Sequence, residues 1–395
     1  WDTSESTKLA WITGTVIPQY QQRHPNVTIN YQQIPTSALE TKVFVSLGTG
    51  TAADVMTIAG YDLPVIFPKN VLAPAEDRDF NGGVAAVISS YLPGLLAPEQ
   101  YKGRLYALPV QMNAYSLAMN NAAFAAAGLD PTKDAPKTWD QLATLAKSLT
   151  KTDSKGHVVQ KGFDLRFTSG DHWLTDFFMV AENQLGGQVL DAHGDPVFND
   201  PTGVAAMELV RDKMSSPYPL VTQNSSAAPY ADFASGQDAM AAGGPNMGAV
   251  VVATNPKMAN SFTFAPLPQI DPAKPANYSY SFNMAVNASS SPDVKRVAWD
   301  FISFALSNSA GWFNATKMLQ PHTNWYAVSP AKDTPGIGVF VHDLSIAKPA
   351  PRTQYYSHLQ SIIAAAVQKV VLSKEPVHAT LDSAVQSYKL AVSQG

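Results

Sequence analysis

A helix pattern set between two strand patterns constrains this chain more than any other feature. In SALETKVFVSLG, Leu39, Val43 and Leu47 share one helical face, and Gly48 stands where a left-handed cap belongs. Upstream, Val27, Ile29 and Tyr31 alternate in NVTINYQQI, the period of a half-buried strand. Downstream, ADVMTIA is a short apolar run that reads as a buried strand, and KLAWI near the start reads as another. Alternating strands and helices need crossover connections. The expected class is therefore α/β, a parallel sheet with helices on its faces.

Later segments extend the pattern. In PKTWDQLATLAKSLTK, Thr138 is a natural N-cap and Gln141 completes a capping box. Leu142, Leu145, Ala146 and Leu149 form the stripe of that helix. Ser291 and Pro292 open another, with Val294, Val297, Ala298, Phe301, Phe304 and Ala305 on its apolar face. The tail from Tyr355 to Val392 is helical with a break near KEPV. At 395 residues the chain exceeds one ordinary core, so two lobes are expected. No fixed-period repeat occurs, which disfavours a solenoid or propeller.

Composition removes several functions. A net charge of −4, with no run of five Lys or Arg, argues against nucleic acid. With no cysteine there are no disulfides, thiolate nucleophiles or Cys-ligated metals. No stretch approaches the roughly 18 apolar residues of a membrane span. The opening WDTSESTKLAWITG shows no basic region followed by an apolar one, so any signal or lipid anchor is expected to have been removed, or never to have existed.

Chemical motifs are equally sparse. The glycine-rich DFASGQDAMAAGGPNMG has Pro245 and Asn246 where a Walker A loop needs its lysine, and its adjacent Gly243 and Gly244 break the dinucleotide spacing. GTGTAAD lacks the third glycine and precedes a strand. There is no G-x-S-x-G and no H-E-x-x-H. DAHGD, Asp191 to Asp195, looks like part of a calcium loop but lacks the later glutamate, and reads as a turn. His157, His172, His193 and His322 fall in expected loops, and the 31 acidic residues single out no glycosidase pair. No cofactor or metal is expected.

Several ordered stretches resemble the bacterial extracellular solute-binding proteins of ABC importers, in the family that includes the maltose- and oligosaccharide-binding proteins. They are YKGRLYALPVQMNAYSLAMNNAAFAAAGL, the PKTWDQL helix start, AENQLGG, FASGQDAMAAGGPNMG and RVAWDFISFALS. The resemblance implies a two-lobe periplasmic-binding-protein fold (type II-like), a hinge of two to three crossovers and a ligand cleft. Crossings are expected near Val110–Asn113, Ala265–Pro268 and Leu319–Pro321. The lobes would then be 1–111 with 266–318, and 112–265 with 319–395. Implied partners are a carbohydrate and the permease of the importer. The implied protein is a periplasmic or extracellular monomer, free or as a lipoprotein, delivering its solute by hinge closure. The alternatives are a non-sugar solute (a glycerol phosphodiester, a polyamine or a metal) or an enzyme acting on polysaccharide.

Sugars expose hydroxyl edges and weakly apolar faces, so aromatic, amide and carboxylate residues at strand ends are the candidate contacts. Gly14 and Thr15 follow the strand KLAWI. Tyr61 and Asp62 follow ADVMTIA, where Asp62 serves equally well as a helix cap. Asn113 matches a family position that often carries a carboxylate, which favours a neutral ligand. Asp171 and Trp173 open a helix, and Trp173 is otherwise core. Tyr280 flanks the return crossing, His322 and Trp325 the third. Tyr355 precedes the tail helices; the pair Tyr355–Tyr356 also suits ferric-ion binders, without further anionic ligands. Asn246 takes the place of the family's Trp after Gly-Pro. Trp11, Trp139, Trp299 and Trp312 read as packing.

Overall fold

The computed structural model describes residues 1–3, 6–165, 171–215, 229–323, 325–327 and 331–394. In chain order the elements used below are α1 (Ser6–Trp11), α2 (Ile17–Arg23), α3 (Thr36–Thr49), β1 (Val55–Ala59), β2 (Ala107–Ala114), β3 (Ser116–Asn120), α4 (Trp139–Leu149) and α5 (Asp171–Gln184). They continue with β4 (Met240–Gly243), α6 (Met247–Thr254), β5 (Phe262–Pro266), β6 (Asn277–Asn287), α7 (Pro292–Leu306), α8 (Tyr356–Leu372) and α9 (Val377–Gln394). The chain divides into two compact units. Unit 1 is Trp1–Asn113, Tyr280–Thr334 and Arg352–Gln354; unit 2 is Ala114–Ser279, Pro335–Pro351 and Tyr355–Gly395. The chain changes unit at Asn113/Ala114, inside β6 at Ser279/Tyr280 and at Thr334/Pro335, where the expected crossings are 110–113, 265–268 and 319–321.

In unit 1, KLAWI is not a strand. Lys8, Ile12, Val16 and Tyr20 recur every fourth residue and are all buried, so the segment is helical. Residues four apart drift around an ordinary α-helix, and the wider π turn at Ile12–Val16, between α1 and α2, offsets that drift. A lysine inside the stripe hides this period in the sequence. Its ammonium is fully buried, 3.0 Å from Asp2 Oδ1 and hydrogen-bonded to Thr3. Asp2 also accepts from Thr57 Oγ1 at 2.8 Å and from the Tyr31 hydroxyl at 2.9 Å. In NVTINYQQI the burial does alternate, but only Gln33–Ile34 pairs, in parallel with Asp2–Thr3. The helix α3 runs past Gly48 to Thr49, and Gly50 at φ 71° is its left-handed cap.

The sheet of unit 1 is not all parallel. β6 lies antiparallel to β1, Phe282 opposite Ala59 and Val286 opposite Val55, and β2 also pairs with β6. Consecutive residues serve opposite faces. Leu108, Val110, Met284 and Val286 pack into one core with Trp299 and Ile302 of α7. Met56, Ile58, Ala107 and Ala285 pack into the other with Leu39 and Val43 of α3. Ser291 caps α7 as expected, though Val294 is exposed.

In unit 2, β3 is central, with β4 and β5 both antiparallel to it. The Thr138–Gln141 capping box forms as expected, and Trp139 is buried. Its indole N–H donates to Gln184 Oε1 at 2.8 Å, and Gln184 ends α5, the helix of the AENQLGG motif. The helices α8 and α5 are joined where Thr175 donates to the Gln360 carbonyl at 2.8 Å, and α8 and α9 are separated by the expected break.

Candidate functional site

In unit 1 the polar residues gather where β1 ends. The antiparallel register carries the chain from Ile58 and Ala285 in the core outward to Asn283, Ser281 and the turn Gly60–Asp62. A Cβ on Gly60 would collide with Ser281 Oγ and stand 3.2 Å from Asn283 Nδ2, so only glycine lets the turn lie this close. Asn283 Nδ2 donates to Ser281 Oγ at 3.0 Å, and Ser281 Oγ lies 3.3 Å from Glu99 Oε1. Glu99 is fully buried, and burial pushes its carboxyl up to about 8.

Several acceptors of this region are buried without a hydrogen-bond partner: Asp62 Oδ1, Glu99 Oε2, Gln111 Oε1, Asn113 Oδ1 and Asn283 Oδ1. Such oxygens cost free energy until a donor arrives. Asp62 makes no capping hydrogen bond, so the cap reading falls away. Burial, and then the charge of Glu40, raise its carboxyl well above the ordinary range. Gln111 and Asn113 lie two apart on β2 and share a face. Glu99, Gln111, Ser281 and Asn283 were not singled out in the sequence. An alternating polar pattern, QMN and SFN, was the available signal.

The other unit 1 candidates are scattered. Gly14 and Thr15 lie in the π-helical turn, Gly14 exposed and Thr15 half-buried, rather than at a strand end. Tyr61 is half-buried beside Asp62, and Tyr280 is half-buried with its ring edge-on to Phe282 at 6.4 Å. The His322 ring packs on Tyr91 with centroids 4.0 Å apart, and burial lowers its pKa to about 4. Trp325 opens the short helix Trp325–Ala327, but its side chain is outside the described residues.

In unit 2, β4 runs into Gly243, Gly244, Pro245 and Asn246. The helix α6 begins at Met247, two residues later than a start at Pro245 would give. Asn246 is half-buried and its side chain caps nothing. A Cβ on Gly243 would stand 2.8 Å from Met247 Sδ and 2.9 Å from the Tyr230 hydroxyl, which brings Tyr230 to this turn. Trp173 is buried among Tyr115 and Phe177, centroids 5.0 and 6.3 Å away, and Tyr115 donates to Asp176 at 2.5 Å. The core reading of Trp173 is therefore the one that stands. The side chain of Asp171 is outside the described residues. Tyr355 is half-buried at the start of α8, whereas Tyr356 is buried with its hydroxyl 2.8 Å from that of Tyr278, so the adjacent tyrosines do not act as a pair.

One acidic group among the described residues has metal-like spacing, Asp164, Asp232 and Asp238. A cation already sits in it. Lys161 Nζ contacts Asp164, lies 3.0 Å from Asp238 Oδ1 and 3.4 Å from Asp232 Oδ2. Burial, and then the charge of Asp164, push the Asp238 carboxyl above the ordinary carboxylate range. In DAHGD, Asp191 Oδ1 accepts from the backbone N–H of His193 at 2.8 Å and of Asp195 at 2.9 Å, the hydrogen bonds of a turn.

A sequence profile of the bacterial extracellular solute-binding proteins matches residues 3–312. The chain belongs to that family. A putative binding protein of Brucella abortus is 24% identical over 193 residues, 49% of this chain and 44% of that protein. The chain thus spans less than half the length of this curated relative. Two solved members of this architecture cover nearly all of it. An ABC transporter solute-binding protein from Thermotoga lettingae, bound with alpha-D-tagatose, has a TM-score of 0.82 at 23% identity, covering 98% of this chain and 97% of that one. The cyclic alpha-maltosyl-1,6-maltose binding protein of Arthrobacter globiformis has a TM-score of 0.81 at 24% identity, covering 100% and 98%. At these identities the likeness establishes the family fold, α/β with two compact units. No described helix is long and apolar enough to cross a membrane.

Proposed function

We propose that this chain is the extracellular solute-binding component of an ABC importer and that its cargo is a carbohydrate. The observation that carries this is the set of buried, partnerless oxygens at the end of β1 and along β2 in unit 1. Asp62, Gln111, Asn113 and Asn283 offer acceptors, and a sugar is a small solute dense in hydroxyl donors. The family membership supports the same choice, as do a tagatose-bound solute-binding protein and a cyclic alpha-maltosyl-1,6-maltose binding protein of the same fold. Tyr61, Tyr280, Gly14, Thr15 and His322 of unit 1, and Asn246 and Tyr355 of unit 2, are the further residues proposed to contact the cargo. No step of catalysis is assigned to any of them.

A calorimetric and thermal-shift screen with tagatose, maltose and mannobiose tests the proposal. At a hundredfold excess over the dissociation constant, the binding sugar stabilises by about 2.7 kcal/mol. Absence of any shift with every sugar, together with a shift from another solute class, overturns it. A polyamine is the second reading, because Asp62 and Glu99 are buried acids without a basic partner in hydrogen-bonding reach. Spermidine is the matching arm of the screen.

The remaining features are proposed with the function. Cargo binding draws the two units together by hinge bending, which small-angle scattering detects as a smaller radius of gyration with sugar. The native protein is a monomer held outside the membrane, with a lipid anchor, and hands its cargo to a permease. Light scattering and palmitate labelling of the native protein check these points.

A further inference from the structure

Glu99 is not among the acceptors assigned to a sugar. Yet it ends a continuous chain of side chains that leads to the turn assigned to the cargo. Ser281 Oγ lies 3.3 Å from Glu99 Oε1, Asn283 Nδ2 donates to Ser281 Oγ, and both press against Gly60, where no Cβ fits. The loop bearing Glu99 is itself pinned, since exposed Arg352 donates to the carbonyls of Ala97, Pro98 and Gln100, the last at 2.6 Å. The groups facing the carboxyl are few. Tyr91 is buried and feels its charge, the His322 ring stacks on Tyr91, and the Arg352 guanidinium acts from the loop side. None of these lies within ion-pairing distance of it, so an ionised Glu99 would be a buried charge without a counterion.

We propose that Glu99 is a positioning residue: as a neutral carboxylic acid it holds Ser281 and Asn283 beneath Gly60, and loss of its proton loosens the turn that presents Tyr61 and Asp62. This rests on the assignment of that turn to the cargo, but the device itself works without ligand. Burial holds the carboxyl near pH 8, so the looser form appears as the solution turns alkaline.

Hydrogen exchange of the peptide spanning residues 58–63, followed at pH 6.5 and pH 9 in the whole chain, is the test. Wild type and Glu99→Gln should exchange alike at pH 6.5. At pH 9 the wild type should exchange about threefold faster than Glu99→Gln, which keeps a neutral side chain of the same shape. A merely structural glutamate would give no such divergence between the two pH values. Equal exchange at pH 9, or faster exchange of Glu99→Gln at pH 6.5, overturns the proposal. A parallel titration with maltose separates the two ideas: if wild type binds no sugar, the cargo reading fails while the exchange comparison still decides the role of Glu99.

Discussion

Two sets of buried acid, one in each unit, are handled in opposite ways. In unit 2, Asp164, Asp232 and Asp238 surround the ammonium of Lys161, so each carboxylate has a cation in reach. In unit 1, Asp62 and Glu99 are as deeply buried and have none; both are pushed toward the neutral form by burial. The charge of the first set is answered by its own lysine, whereas the second set has no cation in reach and keeps its capacity for a guest.

Removing the cation breaks the contrast most severely. Lys161→Met should cost about 3–5 kcal/mol, read as a lower urea midpoint, because it leaves buried carboxylates unpaired. An unchanged midpoint would mean that Lys161 does not hold the cluster together. Next come the two glycine turns. Gly60→Ala should destabilise by about 1–3 kcal/mol, since its neighbours Ser281 and Asn283 are fixed by hydrogen bonds. Gly243→Ala should cost less, because Met247 Sδ and the Tyr230 hydroxyl are ends of side chains that can yield. Equal losses would erase the distinction.

Asp62→Asn should leave stability intact or improve it, while sugar affinity falls about tenfold, roughly 1.4 kcal/mol by calorimetry. The smallest expected effect is on pH dependence. Glu99 and Glu182 are both raised from 4.5 to about 8, chiefly by burial. Folded chains then hold protons that unfolded chains release between those values, so stability should fall as pH rises from about 4.5 to 8. Urea melts of Glu182→Gln should show a shallower fall than wild type; an identical slope would exclude Glu182 as a contributor.

Much of the architecture was legible because it rests on local rules. The Thr138 capping box, the Ser291 cap, the α3 stripe and the β1 run each declare themselves within a few residues. KLAWI misled because its period is carried by a lysine, and a buried lysine is explained only by Asp2, whose carboxylate lies outside the segment. The antiparallel place of β6 was not legible either, since strand order depends on partners far along the chain. The site was half legible. Tyr61 and Asp62 announce themselves by following a strand, whereas Glu99 and Ser281 matter only through each other, a relation that no spacing encodes.

The register of β6 has a consequence for how the molecule is made. Asn283 donates to the carbonyl of Ile58, a partner 225 residues away in sequence. When β1 leaves the ribosome, the strand that completes its sheet has not been synthesised, and the first long segment of unit 2 must emerge in between. Long-range pairing of this kind is slow, and apolar edges stay open while it waits. Unit 2 needs only residues up to Pro266 to form its three-stranded sheet. The turn Gly60–Asp62, at the end of β1, therefore waits for β6 before its sheet is complete.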